Sequence, residues 1–196
     1  MDRPMPISRR SLLAAAAALP FSRAAVASEP FPVHASDANE IPYKFRRQEV
    51  DLATGEQAGA IVVDPGRRWL YQVLGPGKAL RFGVSVGKYG NWSGETVIGK
   101  MEKWPVWTPT PDHLKRKPSL IKYINGMPGG PANPMGARAL YLYKGNVDTS
   151  YRIHGTDDPT FIGTKATAGC FGMLNADVIY LFDQVRIGTR VVVLAS

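Results

Sequence analysis

The stretch from residue 104 to residue 136 holds so many prolines that no long helix or central strand can cross it. Its prolines are Pro105, Pro109, Pro111, Pro118, Pro128, Pro131 and Pro134. The sequence allows a short helix over 112–117, capped by Thr110 or Asp112. Irregular stretches of this length are uncommon in compact domains and usually serve a function. We therefore interpret residues 104–136 as a flap that shapes a site, and call them the flap.

Short runs rich in β-branched and aromatic residues lie on both sides of the flap. They cover 61–63, 68–73, 80–86 and 96–100 before it, and 139–143, 151–154 and 189–194 after it. The turn sequences Asp64-Pro65-Gly66 and Gly75-Pro76-Gly77 separate the first three runs, which predicts a meander of antiparallel strands. The pattern as a whole predicts a β-dominated fold.

One segment has the period of a helix instead. Its apolar residues are Val178, Leu181, Phe182 and Val185. They fall at positions i, i+3, i+4 and i+7, so they share one face that can pack on the core. We predict a helix that Asn175 caps and that runs to about Gln184.

The first 27 residues have the composition of an export signal. The pair Arg9-Arg10 precedes an apolar run over 12–19, and Ala25-Val26-Ala27 offers a small-residue cleavage site before Ser28. The adjacent arginines favour the twin-arginine route. The apolar run is shorter than the roughly 20 residues that span a bilayer. We therefore expect cleavage, a mature protein in the periplasm or cell envelope, and no stable membrane insertion.

The rest of the chain divides by texture into two parts. Residues 28–57 are polar and aperiodic, which predicts an N-terminal arm or linker, and 58–196 predict one domain of ordinary size. Removal of the signal takes away four arginines and one aspartate, which lowers the net charge from +8 to +5. This modest positive charge suits an anionic surface such as a cell wall. The cations are scattered apart from 115–117, so we expect no nucleic-acid partner.

A single cysteine, Cys170, is available for chemistry. An unpaired cysteine in an exported protein is either a buried bystander or a working thiol. Gly169 precedes it, and His154 lies 16 residues upstream at the end of a predicted strand. That spacing lets the chain loop out and return beside the histidine, so His154 is the best candidate base. A core cysteine beside a backbone-satisfied histidine stays open as the alternative.

Two segments resemble a known family. His154-Gly155-Thr156, followed by Thr167–Met173 (Thr-Ala-Gly-Cys-Phe-Gly-Met), is similar to the signature of the L,D-transpeptidase catalytic domain. That signature is a His-Gly pair and then Ser/Thr-x-Gly-Cys-hydrophobic-Arg-Met/Leu. The similarity extends to the opening strands over 61–86, the segment 133–137 and the ending over 185–193. It thus covers roughly residues 58–196.

The resemblance implies a cysteine-dependent acyltransferase of the cell wall with a β-sandwich-like catalytic domain and no cofactor. In such an enzyme the thiol attacks the carbonyl of the third stem residue in a peptidoglycan tetrapeptide. Terminal D-alanine leaves, and the side-chain amine of another stem resolves the thioester to give a 3-3 cross-link. Peptidoglycan stem peptides are therefore the expected partners.

The resemblance also implies roles for individual residues. Cys170 would be the nucleophile, and His154 the general base and acid. The backbone carbonyl of Gly155 would orient the imidazole, and the amides of Gly169 and Cys170 would form the oxyanion hole. Thr167 would support the turn.

Other residues are weaker candidates. Arg152 is a candidate supporting or substrate-binding cation. In the flap, Trp107 and Trp104 are candidates for substrate contact. A metal site that uses His154, Cys170 and a nearby aspartate lacks a tight ligand pair, so we expect no metal.

Two positions depart from the family pattern. Ala168 stands where many members have histidine or serine, and Gly172 stands where arginine is usual. An arginine there would supply a fixed cation near the thiolate and the substrate carboxylates. Arg152, Lys165 or Arg138 could compensate. The alternatives are an L,D-carboxypeptidase, an enzyme that attaches an envelope protein to peptidoglycan, and a catalytically weak wall-binding module.

Overall fold

The computed structural model describes residues 29–88 and 92–195, without the side chains of residues 35 and 36. The predicted signal therefore lies outside the described residues. Eleven strands and two α-helices are described. The strands are β1 (Gln48–Asp51), β2 (Ile61–Asp64), β3 (Trp69–Gly75), β4 (Lys78–Gly83), β5 (Val86–Gly87), β6 (Gly94–Lys103), β7 (Arg138–Lys144), β8 (Val147–His154), β9 (Lys165–Thr167), β10 (Phe171–Gly172) and β11 (Arg190–Val193). The helices are α1 (Pro111–Arg116) and α2 (Asn175–Gln184).

Nine of the described strands form one sheet in the order β1-β4-β3-β2-β11-β6-β7-β8-β10. The predicted antiparallel meander is confirmed as β2-β3-β4. The last strand, β11, lies between β2 and β6, parallel to the first and antiparallel to the second. The β-dominated fold class is thereby confirmed.

The site end of this sheet is built from β7, β8 and β10. His154, the last residue of β8, pairs with Ala139 of β7 on one side and with Gly172 of β10 on the other. A small second sheet pairs β5 with β9, and a bridge between Ser85 and Gly172 joins the two sheets. Strands β9 and β10 could not be predicted from the sequence, because two or three residues show no period.

The core lies between the sheet and α2. Its fully buried side chains include Phe82, Ile98 and Leu140 from the sheet and Val178 and Leu181 from the helix. Burial of apolar surface on this scale supplies the main driving force for folding. The helical period was therefore read correctly, since the same face packs on the core.

The N-terminal cap of α2 differs from the prediction. Leu174 occupies the N-cap position without a side-chain hydrogen bond, and Asn175 is the first helical residue. The side chain of Asn175 bonds instead to two distant backbone groups beside the site. In the flap, Thr110 does cap α1, and a 3-10 helix follows over Pro118–Tyr123.

The predicted N-terminal arm contains short elements of regular structure among its described residues. β1 pairs with β4 along four residues, after 3-10 helices at Ala35–Asn39 and Tyr43–Phe45. Ile41 and Phe45 are buried with Ile162 and Leu174. Two isolated apolar residues in a polar segment carry no period, so their burial is visible in the tertiary structure alone.

No helix among the described residues is long and apolar enough to cross a membrane.

Candidate active site

A cleft of about 670 Å³ lies between the flap and the site end of the sheet. It brings together His154, Cys170 and Thr167 from the sheet side and Trp107 and His113 from the flap. A second groove of about 730 Å³ lies between residues 55–60 and 183–190, but neither histidine nor cysteine lines it. The first cleft is therefore the candidate active site.

Hydrogen bonds to backbone groups hold both the main chain and the side chain of His154. Its own carbonyl accepts a hydrogen bond from the Met173 amide at 2.7 Å, and the side chain is buried. The imidazole Nδ1 lies 2.6 Å from the carbonyl oxygen of Gly155. A carbonyl oxygen can only accept, so Nδ1 carries the proton. Nε2 of the neutral ring is then the unprotonated nitrogen that can act as a base.

Burial also sets the charge of this imidazole. Loss of solvation lowers the pKa of His154 to about 4, since the charged ring would be buried. The Gly155 hydrogen bond opposes this shift, and the charge of Arg152 adds to it. At neutral pH the imidazole is therefore unprotonated and ready to accept a proton.

The carbonyl that orients the ring is itself fixed. The Gly155 amide donates to the Arg138 carbonyl oxygen at 3.0 Å. Asn175 accepts from the Ala137 amide at 2.9 Å and donates to the Thr156 carbonyl at 2.8 Å, so it ties the two chain segments around Gly155 together. Sequence reasoning missed this role, because Asn175 at the start of a helix had the pattern of a cap.

Cys170 lies in a tight turn that Thr167 closes. The Thr167 hydroxyl donates to the Cys170 carbonyl at 2.6 Å and accepts from the Gly169 amide at 3.2 Å. The half-buried thiol makes a long contact of 3.9 Å to the Ser150 carbonyl oxygen. Gly169 is close to the Tyr151 ring, which a side chain at this position would contact at 3.2 Å.

The thiol is protonated in this environment. Burial raises the pKa of Cys170 above its ordinary value, and this effect exceeds the lowering by Arg152. The nearby carboxylate of Asp148 also raises the pKa. Burial thus favours the neutral form of both the thiol and the imidazole that line this cleft.

Gly169 and Arg152, two of the predicted site residues, bond to partners other than those that their predicted roles require. The Gly169 amide donates to Thr167, so the two-amide oxyanion hole is not assembled in this structure. The guanidinium of Arg152 forms a bidentate pair with Asp148 at 2.8 and 2.9 Å and stacks on the Tyr141 ring. Arg152 is outside the cleft lining, and it lowers the pKa of Cys170 first through a backbone hydrogen bond and then through its charge.

At the position of the missing arginine, the Ser85 hydroxyl occupies the space that a side chain would enter. A Cβ built on Gly172 would collide with the Ser85 hydroxyl, and the two residues exchange backbone hydrogen bonds of 2.8 and 3.1 Å. The same Cβ would lie 3.9 Å from Cε1 of His154. Ser85 thus fills the space beside the imidazole, a role that sequence reasoning missed.

The other candidate compensating cations are engaged or distant. Arg138 is buried and forms an ion pair with Glu29, which also accepts from the Trp104 indole at 2.8 Å. Lys165 is exposed on β9 and outside the cleft lining. Trp104 therefore anchors the N-terminal arm, in contrast to the predicted substrate contact, whereas Trp107 lines the cleft and contacts His113 edge to face.

Within the described part of the chain, no three histidine, cysteine, aspartate or glutamate side chains lie close enough together to hold a metal ion.

Residues 58–193 match the YkuD family, the L,D-transpeptidase catalytic domain. The chain belongs to this family. The match spans both catalytic candidates, His154 and Cys170, and the strands that position them.

Curated L,D-transpeptidases are similar over part of their length. The probable L,D-transpeptidase ErfK/SrfK of Escherichia coli is 38% identical over 119 residues, which are 56% of this chain and 35% of that protein. The probable L,D-transpeptidase YbiS of Escherichia coli is 30% identical over 150 residues, 74% of this chain and 47% of that protein. The chain therefore spans between a third and a half of the length of these relatives.

Solved structures show the same L,D-transpeptidase fold. The L,D-transpeptidase of Xylanimonas cellulosilytica is 17% identical, with a TM-score of 0.51 over 74% of this chain and 65% of that chain. A Brucella melitensis protein is 48% identical, with a TM-score of 0.54 over 80% of this chain and 99% of that chain. It is named a probable carnitine operon oxidoreductase, whereas the Escherichia coli and Xylanimonas cellulosilytica proteins are named L,D-transpeptidases.

Proposed function

We propose that this chain is a peptidoglycan L,D-transpeptidase that works through a thioester on Cys170. One observation carries the proposal: the Nδ1 proton of His154 is held by the Gly155 carbonyl, in the same cleft as the single thiol. This arrangement leaves Nε2 as a base in the cleft that the thiol also lines. Family membership over 58–193 supports the choice of substrate.

The first half-reaction forms the acyl-enzyme. Sγ of Cys170 attacks the carbonyl of the third stem residue, and its proton passes to Nε2 of His154. The imidazolium then returns this proton to the amine of D-alanine as the carbon–nitrogen bond breaks. The Cys170 amide donates to the oxyanion, and the Gly169 amide joins it after leaving Thr167.

The second half-reaction transfers the acyl group. The side-chain amine of another stem attacks the thioester, gives its proton to His154, and the thiol is released protonated. The product is a 3-3 cross-link between two stems. Because the free imidazole has a pKa of about 4, the base is available throughout the neutral range.

Location follows from the N-terminal sequence. We propose that residues 1–27 form a twin-arginine-type signal, that cleavage precedes Ser28, and that the arm over 28–57 and the catalytic domain over 58–196 act in the periplasm or envelope. N-terminal sequencing of the exported protein tests this. A first residue well before Ser28 would contradict it.

Intact-mass measurement tests the chemistry. The protein is incubated with a tetrapeptide stem or with a carbapenem, which is a strained acyl donor. We expect a covalent adduct that Cys170→Ala abolishes and His154→Ala slows strongly, with His113→Ala as the matched histidine control in the flap. An unmodified protein whose thiol still reacts with iodoacetamide would contradict the proposal and favour a wall-binding module.

A further inference from the structure

Three cations line the flap side of the cleft. Arg116 ends α1, Lys117 follows it, and Lys122 lies in the 3-10 helix, and all three are exposed. None of them forms a salt bridge with another described residue. By contrast Lys115, one residue away on α1, pairs with Asp112 at 3.7 Å and lies outside the lining. No ion pair within the described residues neutralises these three charges, although Lys122 lies over the Tyr123 ring at 4.9 Å.

The rest of the lining does not neutralise these charges. Asp157 is the one acidic side chain among the lining residues, and burial raises its pKa. Three cations against one carboxylate give the cleft a positive potential, which low-dielectric walls concentrate. The cleft therefore favours an anionic ligand.

The floor of the cleft contributes no cation of its own. Gly172 has no side chain, and Ser85 fills the space beside it. The nearby guanidiniums of Arg138 and Arg152 are occupied by Glu29 and Asp148. Among the described residues, recognition of negative charge in this cleft falls to the flap.

The flap presents these cations from an ordered wall. Thr110 and His113 form a reciprocal capping box at the start of α1. The His113 ring packs against Trp107, whose backbone pairs with Met127 across the flap. An ordered backbone loses less conformational entropy when a ligand binds, which favours recognition by the side chains that it carries.

We infer that Arg116, Lys117 and Lys122 select stem peptides that carry free side-chain carboxylates over stems in which those carboxylates are amidated. This inference rests on the proposed function, because it concerns the peptide that reaches Cys170. The flap then recognises the charge of the donor, while the sheet side of the cleft performs acyl transfer. Each exposed cation contributes modestly, so the selection depends on the three acting together.

A pair of matched donors tests this selection. The two tetrapeptides differ in one feature, a side-chain carboxylate that is either a free acid or a primary amide, and kcat/KM is measured from release of D-alanine. We expect the wild type to prefer the free acid by about tenfold. The triple variant Arg116→Gln, Lys117→Gln, Lys122→Gln should reduce this ratio to about one by slowing the free acid, and Lys115→Gln should leave it unchanged.

The outcomes separate this inference from the proposed function. Iodoacetamide is uncharged, so its reaction with Cys170 in the triple variant shows that the site is intact. Turnover of both donors with equal kcat/KM by the wild type, or the same preference in the triple variant, would overturn the inference alone. Failure of both donors to acylate Cys170 in the wild type would overturn the proposed function, and the inference with it.

Discussion

The two walls of the cleft are held in different ways. On the sheet wall, His154 at the end of β8 pairs with β7 on one side and with Gly172 of β10 on the other. Gly155, the next residue, bonds to the backbone of β7, and the imidazole of His154 is buried. The flap wall, over 104–136, is held by a capping box, one backbone bridge and the side chain of Asn133. Its cations stay exposed.

This difference matches two tasks. Proton transfer requires a base at a fixed position, and a strand end inside a nine-stranded sheet provides one. Recognition of charge tolerates small displacements, since electrostatic attraction acts over several ångströms. We therefore expect changes in the sheet wall to slow chemistry and changes in the flap wall to weaken binding.

The largest effect is expected from the two histidines of the cleft. His154→Ala removes the base and should slow acylation of Cys170 by about 10³-fold. His113→Ala removes a flap capping residue and should change the rate by about threefold or less, as expected for a weak exposed contact. Single-turnover mass spectrometry measures both rates. Equal losses in the two variants would show that the walls do not divide the work.

A second effect is the acid sensitivity of folding. The pKa of His154 falls from 6.5 to about 4 on folding, so the unfolded state binds the proton more tightly. Above pH 6.5 the imidazole is neutral in both states, so its titration does not affect stability. As the pH falls from 6.5 towards 4, the free energy of unfolding decreases by up to about 3 kcal/mol. Urea unfolding of the wild type, His154→Ala and His113→Ala over this range checks it. In His154→Ala the free energy of unfolding should depend much less on pH. An unchanged pH dependence would contradict the argument that burial lowers the pKa of His154.

Asn175 and Asn133 provide a matched pair of smaller effects. Each ties backbone groups together, Asn175 behind Gly155 and Asn133 between Pro105 and Met135 within the flap. Replacement by alanine should cost each about 1–3 kcal/mol of stability. We expect Asn175→Ala to lower kcat about tenfold and Asn133→Ala chiefly to raise KM. Steady-state kinetics distinguishes the two patterns, and a raised KM in both would remove the distinction.

The contact between Ser85 and Gly172 should give the smallest effect. Gly172→Ala forces the Ser85 hydroxyl to rotate beside the imidazole, and should slow acylation by about two- to fivefold. Ser85→Ala removes the colliding atom, so the double variant should match Ser85→Ala alone. A double variant as slow as Gly172→Ala would mean that the added methyl group acts on His154 directly.

Much of the framework could be predicted from local sequence. The turn sequences at 64–66 and 75–77 predicted the β2-β3-β4 meander, and the helical period predicted α2. The flap prolines predicted an irregular segment with one short helix capped by Thr110. Each of these patterns lies within a few residues of the element it specifies.

The features of the site that local sequence did not predict depend on contacts between residues far apart in the chain. Ser85 meets Gly172 across 87 positions of the chain, and Glu29 meets Arg138 across 109. Asn175 had the pattern of a cap, but bonds to Ala137 and Thr156. That the cations of the flap line the cleft could not be predicted from the sequence, because their position depends on the fold of the whole flap.

We propose that the cleft holds a neutral Cys170 thiol and a neutral His154 imidazole, which are activated when an acyl donor binds. The pH dependence of Cys170 alkylation by iodoacetamide tests this protonation state, with His154→Ala as the reference. We predict a rate that rises only as the pH passes the thiol pKa, which burial raises above its ordinary value, with no plateau near neutrality. A plateau that begins below about pH 7 and disappears in His154→Ala would reveal a thiolate–imidazolium pair and contradict the account.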